Sequence, residues 1–189
     1  MRRRRIMLDS SNKNNMTSSY KFVILTLDSH AAGSMIRIQP KLRKVYPGLE
    51  VTVHAAATWE EDPLSLERVK EDLAQADMVL ITLIFLEDHI SAILPDLKLA
   101  RERCDAILGL VSAKEIVNLT KIGNLDMSQP STGIMRFLKR LRGNKDKVTG
   151  GEKQMAILRQ IPKILRFIPG KSQDLRAYFL SMQYWLAGS

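Results

Sequence analysis

Between residues 20 and 122, apolar runs suited to strands alternate strictly with stretches of helical spacing, and no other feature constrains the chain as much. Residues 21–27 (KFVILTL) form a continuous apolar run rich in β-branched residues, the pattern of a strand buried on both faces. A helical stretch follows to about Tyr46, where Pro47-Gly48 stops it, with Pro40 marking either a kink or the start of a second turn. Residues 49–56 read as a second strand, and 60–75 as a helix with Leu64, Leu66, Val69 and Leu73 on its apolar side. The run 77–86 (DMVLITLIFL) is the most apolar and is expected at the centre of the sheet. A helix over 87–103 buries Ile90, Ile93, Leu94, Leu97 and Leu99, and 105–111 is the fourth strand. Ser112 is placed to cap a helix over 113–119. Such alternation requires parallel strands joined by right-handed crossovers. The expected class is α/β: an open, doubly wound, mainly parallel sheet of about four strands, Rossmann- or flavodoxin-like, followed by a basic α-helical extension.

The rhythm stops after residue 122. Residues 123–133 read as a loop, 134–141 as a short basic helix and 143–151 (GNKDKVTGG) as a flexible linker. Two helices over 153–167 and 173–186 flank Pro169-Gly170, and their combined apolar surface exceeds what two helices bury against each other. The expected organisation is a disordered basic leader at 1–19, an α/β domain at 20–130, a basic helix and linker at 131–152, and a helical segment at 153–189. That last segment reads as the start of a second domain, with packing partners beyond residue 189.

Charge follows the same division. The formal net charge is +9, but residues 1–20 carry +4, residues 21–130 carry −4 and residues 131–189 carry +9. A slightly acidic body is thus joined to a basic C-terminal third, an asymmetry that calls for an anionic partner without identifying it. No run of 18 apolar residues occurs, which argues against a spanning helix. The arginine-rich start lacks the apolar stretch of a secretory signal, so a cytoplasmic location is expected.

Several chemistries are missing. The first strand is followed by DSHAAGS with one glycine, so no dinucleotide-binding G-x-G-x-x-G is present. There is no phosphate-binding G-x-x-x-x-G-K-[ST], no H-E-x-x-H, no C-x-x-C and no G-x-S-x-G. Cys104, the only cysteine, sits beside Arg101 and Arg103, which lower a thiol pKa; burial as a small apolar residue is the simpler expectation.

Open parallel sheets bind ligands beyond the carboxyl ends of their strands. His30, Glu87, Asp88 and His89 fall at those ends and are the rim candidates for a ligand, with Asp28, His54 and Ser112 nearby. The competing expectation is that these residues cap helices and tie loops. No residue is assigned a catalytic or metal-ligating role. The basic C-terminal helices, with interleaved Met, Phe, Tyr and Trp, suit a membrane surface, a nucleic-acid backbone or simply a core with a solvated face.

Several long blocks in order resemble one family. FVILTLDSH (22–30), VHAAATWEEDP (53–63), FLEDHISAILPDL (85–97), CDAILGLVSAKEIVNLTKIGNLDMS (104–128), MRFLKRLRG (135–143) and the stretch 153–189 are similar to the N-terminal region of the large, porphyrin-binding subunit of magnesium chelatase, related to the cobaltochelatase large subunit. The resemblance runs from about residue 20 to the end. It implies the head of a subunit that binds protoporphyrin IX, while ATP hydrolysis by two smaller partner subunits drives Mg²⁺ insertion in (bacterio)chlorophyll synthesis. The missing phosphate loop agrees with an ATP site on those partners. It further implies that this segment alone is inactive, that any membrane association is peripheral at the photosynthetic membrane, and that nucleic acid is not a partner. A stand-alone tetrapyrrole-binding or regulatory module is the alternative, and a basic nucleic-acid or membrane-surface binder a weaker one.

Overall fold

The computed structural model describes residues 19–129, residue 162 and residues 172–188. Residues 1–18 of the expected leader, all of the basic helix and linker at 131–152, and all but residue 162 of the helix over 153–167 therefore lie outside the described residues.

Four strands, β1 (Tyr20–Thr26), β2 (Leu49–Ala55), β3 (Met78–Thr82) and β4 (Ala106–Leu110), run parallel. Two short strands, β5 (Lys121–Ile122) and β6 (Leu125–Asp126), extend the sheet antiparallel beside β4, giving the order β2-β1-β3-β4-β5-β6. The helices are α1 (Ser29–Val45), α2 (Pro63–Leu73), α3 (Glu87–Arg103), α4 (Lys114–Val117) and α5 (Ser172–Gly188). The α/β expectation holds, with β3 inside the sheet, and β1 and β3 are the pair at which the strand order reverses.

Strand periodicity explains the two cores. Val23 and Leu25 of β1, Val79 and Ile81 of β3 and Ile107 of β4 share one face, where they pack with Val69 and Leu73 of α2, Ile93 and Leu97 of α3 and Ile116 of α4. The intervening residues Ile24, Leu80 and Leu108, with Val51 of β2, line the other face. There Leu175, Tyr178 and Phe179 of α5 are buried, and Met35 and Leu42 of α1 pack at the margin. The sheet thus covers one side of this helix, while its Tyr184 stands 78% exposed. The anchoring contacts are specific. Tyr178 Oη donates to the Gly109 carbonyl at 3.1 Å, and Asn124 N donates to Asp174 Oδ2 at 2.8 Å. Gly123, in the β5–β6 turn with φ +54°, lies so close to Asp174 that a Cβ would fall 2.6 Å from its Oδ1.

Four local expectations need correction. Leu99 is not on the buried side of α3 but stands 72% exposed. Residues 83–86 are not strand: β3 ends at Thr82 because Leu83 adopts φ +60°, outside the pleated region. Ser112 does not cap α4; its hydroxyl donates to Leu110 O and accepts from Ile84 N, and Ala113 holds the cap position without a side-chain bond. The 60–75 helix starts later, at Pro63, because Asp62 caps it through Leu64 N at 3.0 Å. Among the described residues no helix is long and apolar enough to cross a membrane.

Candidate functional site

The carboxyl ends of β1 and β3 are paired at Thr26 and Thr82, both fully buried. Above them the chain departs in opposite directions, so the loops part and leave the position where open α/β sheets take ligands. The Thr26 hydroxyl accepts from Asp28 N at 3.1 Å, and Asp28 Oδ1 accepts from His30 N at 2.8 Å, capping α1. His30 is exposed on the first turn of that helix.

The loop after β3 is held in an unusual shape. Leu83 and Val111 have φ +60° and +45°, each immediately after its strand and neither a glycine. A β-branched residue in that region is an outlier, and such conformations cost about 1–3 kcal/mol each. They persist because the two loops lock together: Leu83 N donates to Val111 O at 3.0 Å, Ala113 N to Ile84 O at 2.9 Å and Ile84 N to Ser112 Oγ at 3.3 Å. Ile84 is thereby fully buried, while Phe85 and Leu86 stand 55% and 54% exposed.

Glu87 and Asp88 follow in the first turn of α3, exposed and favourably placed toward the positive end of the helix. His89 turns inward and is 6% exposed. Its ring meets Trp59 edge to face at 5.4 Å, and its Nε2 lies 3.9 Å from Glu60 Oε1, beyond hydrogen-bond distance. His89 Nδ1, Trp59 Nε1 and Thr82 Oγ1 are buried without a hydrogen-bond partner among the described residues. The sequence-derived candidates are thus divided. Glu87, Asp88 and His89 sit together with Trp59 and Glu60, whereas His30 rides on α1, which packs against the opposite face of the sheet. Trp59 and Glu60 were not among the candidates; their closeness to His89 arises only when the loop after β2 meets the start of α3.

His54 belongs to a different arrangement. Its Nε2 lies 2.7 Å from Asp72 Oδ2, and Lys21 Nζ lies 2.6 Å from Asp72 Oδ1, so one carboxylate ties β1 and β2 to α2. Burial alone raises the Asp72 pKa, but hydrogen bonds from Lys21 and His54 outweigh it and hold the carboxyl below its ordinary 3.8. A depressed carboxylate stabilises the fold above its unfolded pKa, and the contribution is lost as pH falls through the lower folded value. Asp72→Asn is expected to cost about 1–3 kcal/mol at neutral pH, the scale of hydrogen bonds to charged groups. Chemical denaturation at pH 7 and at successively lower pH should show the variant and parent converging in acid. An unchanged gap throughout would remove the carboxylate from the account.

Cys104 is buried, donates to Ala76 O at 3.1 Å and has its pKa raised by desolvation despite Arg103, so the simpler expectation for it holds. Among the described residues no group of three or more His, Cys, Asp or Glu is arranged to hold a metal ion.

Comparison with known proteins places this geometry in a family. The chain is 53% identical over 174 residues to the H subunit of magnesium chelatase from Cereibacter sphaeroides, covering 92% of this chain and 15% of that protein. It is 50% identical over 171 residues to the H subunit of magnesium chelatase from Rhodobacter capsulatus, 90% of this chain and 14% of that one. The chloroplastic ChlH subunit of magnesium chelatase from Oryza sativa subsp. indica is 34% identical over 119 residues, 62% of this chain and 9% of its own length. The chain therefore spans about 15% of the length of the bacterial relatives it matches. A domain family described only as a domain of unknown function, DUF3479, matches residues 21–179. With nearly all of the α/β sheet and much of α5 inside that match, the chain belongs to the DUF3479 family.

Proposed function

We propose that this chain is the head of the large, porphyrin-binding subunit of a magnesium chelatase, the assembly that inserts Mg²⁺ into protoporphyrin IX for (bacterio)chlorophyll synthesis. The observation that carries this reading is identity of 50–53% across nine-tenths of the chain to the H subunits of two bacterial magnesium chelatases. ATP hydrolysis belongs to two smaller partner subunits, and Mg²⁺ and the porphyrin are substrates of the whole assembly. The segment by itself does not insert metal; it serves as a folded module for docking or porphyrin access. It works in the cytoplasm, with any contact to the photosynthetic membrane being peripheral.

A chimera tests this directly. Residues 20–189 are substituted for the matching segment of the Cereibacter sphaeroides subunit. Mg²⁺ insertion is then followed with the partner subunits, ATP and protoporphyrin IX. The expected result is insertion at a rate comparable to the parent subunit, and none from residues 20–189 alone. A folded chimera that retains porphyrin yet inserts no Mg²⁺ would overturn the assignment.

A further inference from the structure

We propose that the rim beside β1 and β3 is a docking surface for a lysine- and arginine-bearing protein segment that also presents apolar side chains. Sign of charge comes first. Glu60 and Glu61 follow β2, Glu87 and Asp88 follow β3, and all four are exposed. The loops joining β1, β2 and β3 to their following helices contain no lysine or arginine. Arg68 reaches Asp62 at 3.7 Å but forms no ion pair with those four acids. A surface of this kind attracts cations and repels carboxylate-bearing ligands.

Apolar exposure is the second feature. Phe85 and Leu86 lie next to Glu87 in sequence, on the loop that the left-handed Leu83 begins. Covering two such side chains recovers about 25 cal/mol for each Å² of apolar surface, so the occupant must bring apolar groups as well as charge. Third, the floor under the acids is not satisfied internally. His89 is more than nine-tenths buried, faces the Glu60 carboxylate at 3.9 Å through Nε2, and has no partner for Nδ1. Trp59 Nε1 beside it is likewise unpartnered.

The acids do not converge on one point. No group of three or more carboxylates and histidines among the described residues could hold a single metal ion. Carboxylates following two strands, with Phe85 and Leu86 exposed beside Glu87 after one of them, fit several ammonium or guanidinium groups spaced along a polypeptide, and a single small cation would leave Phe85 and Leu86 bare. This docking role rests on the rim alone and goes beyond the chelatase reading.

Trp59 is a reporter for the test. The chain has two tryptophans, Trp59 and Trp185, so Trp185→Phe in the full chain leaves only the one at the rim. The probe is a synthetic amphipathic helical peptide with one lysine face and one leucine face, titrated against Trp59 emission. Binding should weaken about tenfold or more between low and moderate salt, as steered contacts do. The Glu60→Gln/Glu61→Gln/Glu87→Gln/Asp88→Asn variant should lose a similar factor, and Phe85→Ser/Leu86→Ser should weaken binding at every salt concentration. Circular dichroism melts confirm that each variant is folded; should the charge variant fail to fold, the salt series on the parent and the Phe85/Leu86 variant carry the test. No binding of the peptide would overturn the proposal, as would equal binding of polylysine without leucine. So would stronger binding to anionic phosphatidylglycerol vesicles, or self-association of the chain that buries the rim against a second copy.

Discussion

Replacing Gly109 with alanine is expected to destabilise the domain by about 3 kcal/mol, with a larger loss for valine. Gly109 lies inside β4, paired with Ile81, where a strand would ordinarily gain from a side chain. Here the backbone of α4 occupies that space. A Cβ on residue 109 would meet Ile116 O at 2.5 Å and Val117 Cα at 3.0 Å, both main-chain atoms with no rotamer to relieve the clash. The same residue is held from two further sides: its N–H donates to Thr120 Oγ1 at 3.0 Å and its carbonyl accepts from Tyr178. For a chain of this size the expected fall in Tm is about 6–12 °C for alanine. A thermal melt of Gly109→Ala within about 2 °C of the parent would show that α4 moves aside freely.

Tyr178→Ala is expected to be of equal or greater effect, about 3–5 kcal/mol, because it removes a buried aromatic ring from between α5 and the sheet. Tyr178→Phe keeps the ring and loses only the bond to Gly109 O, about 1 kcal/mol. The pair therefore separates packing from hydrogen bonding, and a loss in Phe as large as in Ala would overturn the packing account. Burial raises the phenol pKa from 10.0 to about 12. The folded state then keeps its proton where the unfolded chain gives it up, so this contribution is complete below pH 10 and fades as pH rises to about 12. Tyr20, raised to about 12 chiefly by desolvation, contributes alongside it. Alkaline loss of stability should thus be reduced, not abolished, in Tyr178→Phe.

The parallel sheet was legible because β1, β3 and β4 hold contiguous apolar runs, β2 alternates apolar with polar residues, and each intervening helix keeps one apolar face. What escaped had no local signal. Strands β5 and β6 have two residues each, too few for any periodicity, and form because β4 offers an edge and Gly123 permits the turn. Residues 83–86 are as apolar as the strand before them, and composition cannot reveal that Leu83 turns left-handed when Val111 accepts its N–H. Ser112 looked like a cap by position, but its hydroxyl is used to join the β3 and β4 loops. At the rim, sequence order indicated Glu87, Asp88 and His89, since strand ends are predictable once strands are. It could not indicate Trp59 or Glu60, whose proximity depends on how far the loop after β2 leans over the sheet. Nor could it separate His30 from His89, because the face on which each helix lands follows from strand order and not from local spacing.

The unequal borders of the sheet carry a practical lesson for joining this module to other protein. At the far border sits β6, two residues long and fastened through Asp126 to Arg101. At the near border β2 presents seven residues, bonded to β1 and, among the described residues, to no strand beyond. A neighbouring piece of polypeptide that added a strand would find a full-length template beside β2 and almost none beside β6. Grafts and purification tags should leave the β2 border clear, since a tag laid there would compete for an edge that no strand occupies among the described residues.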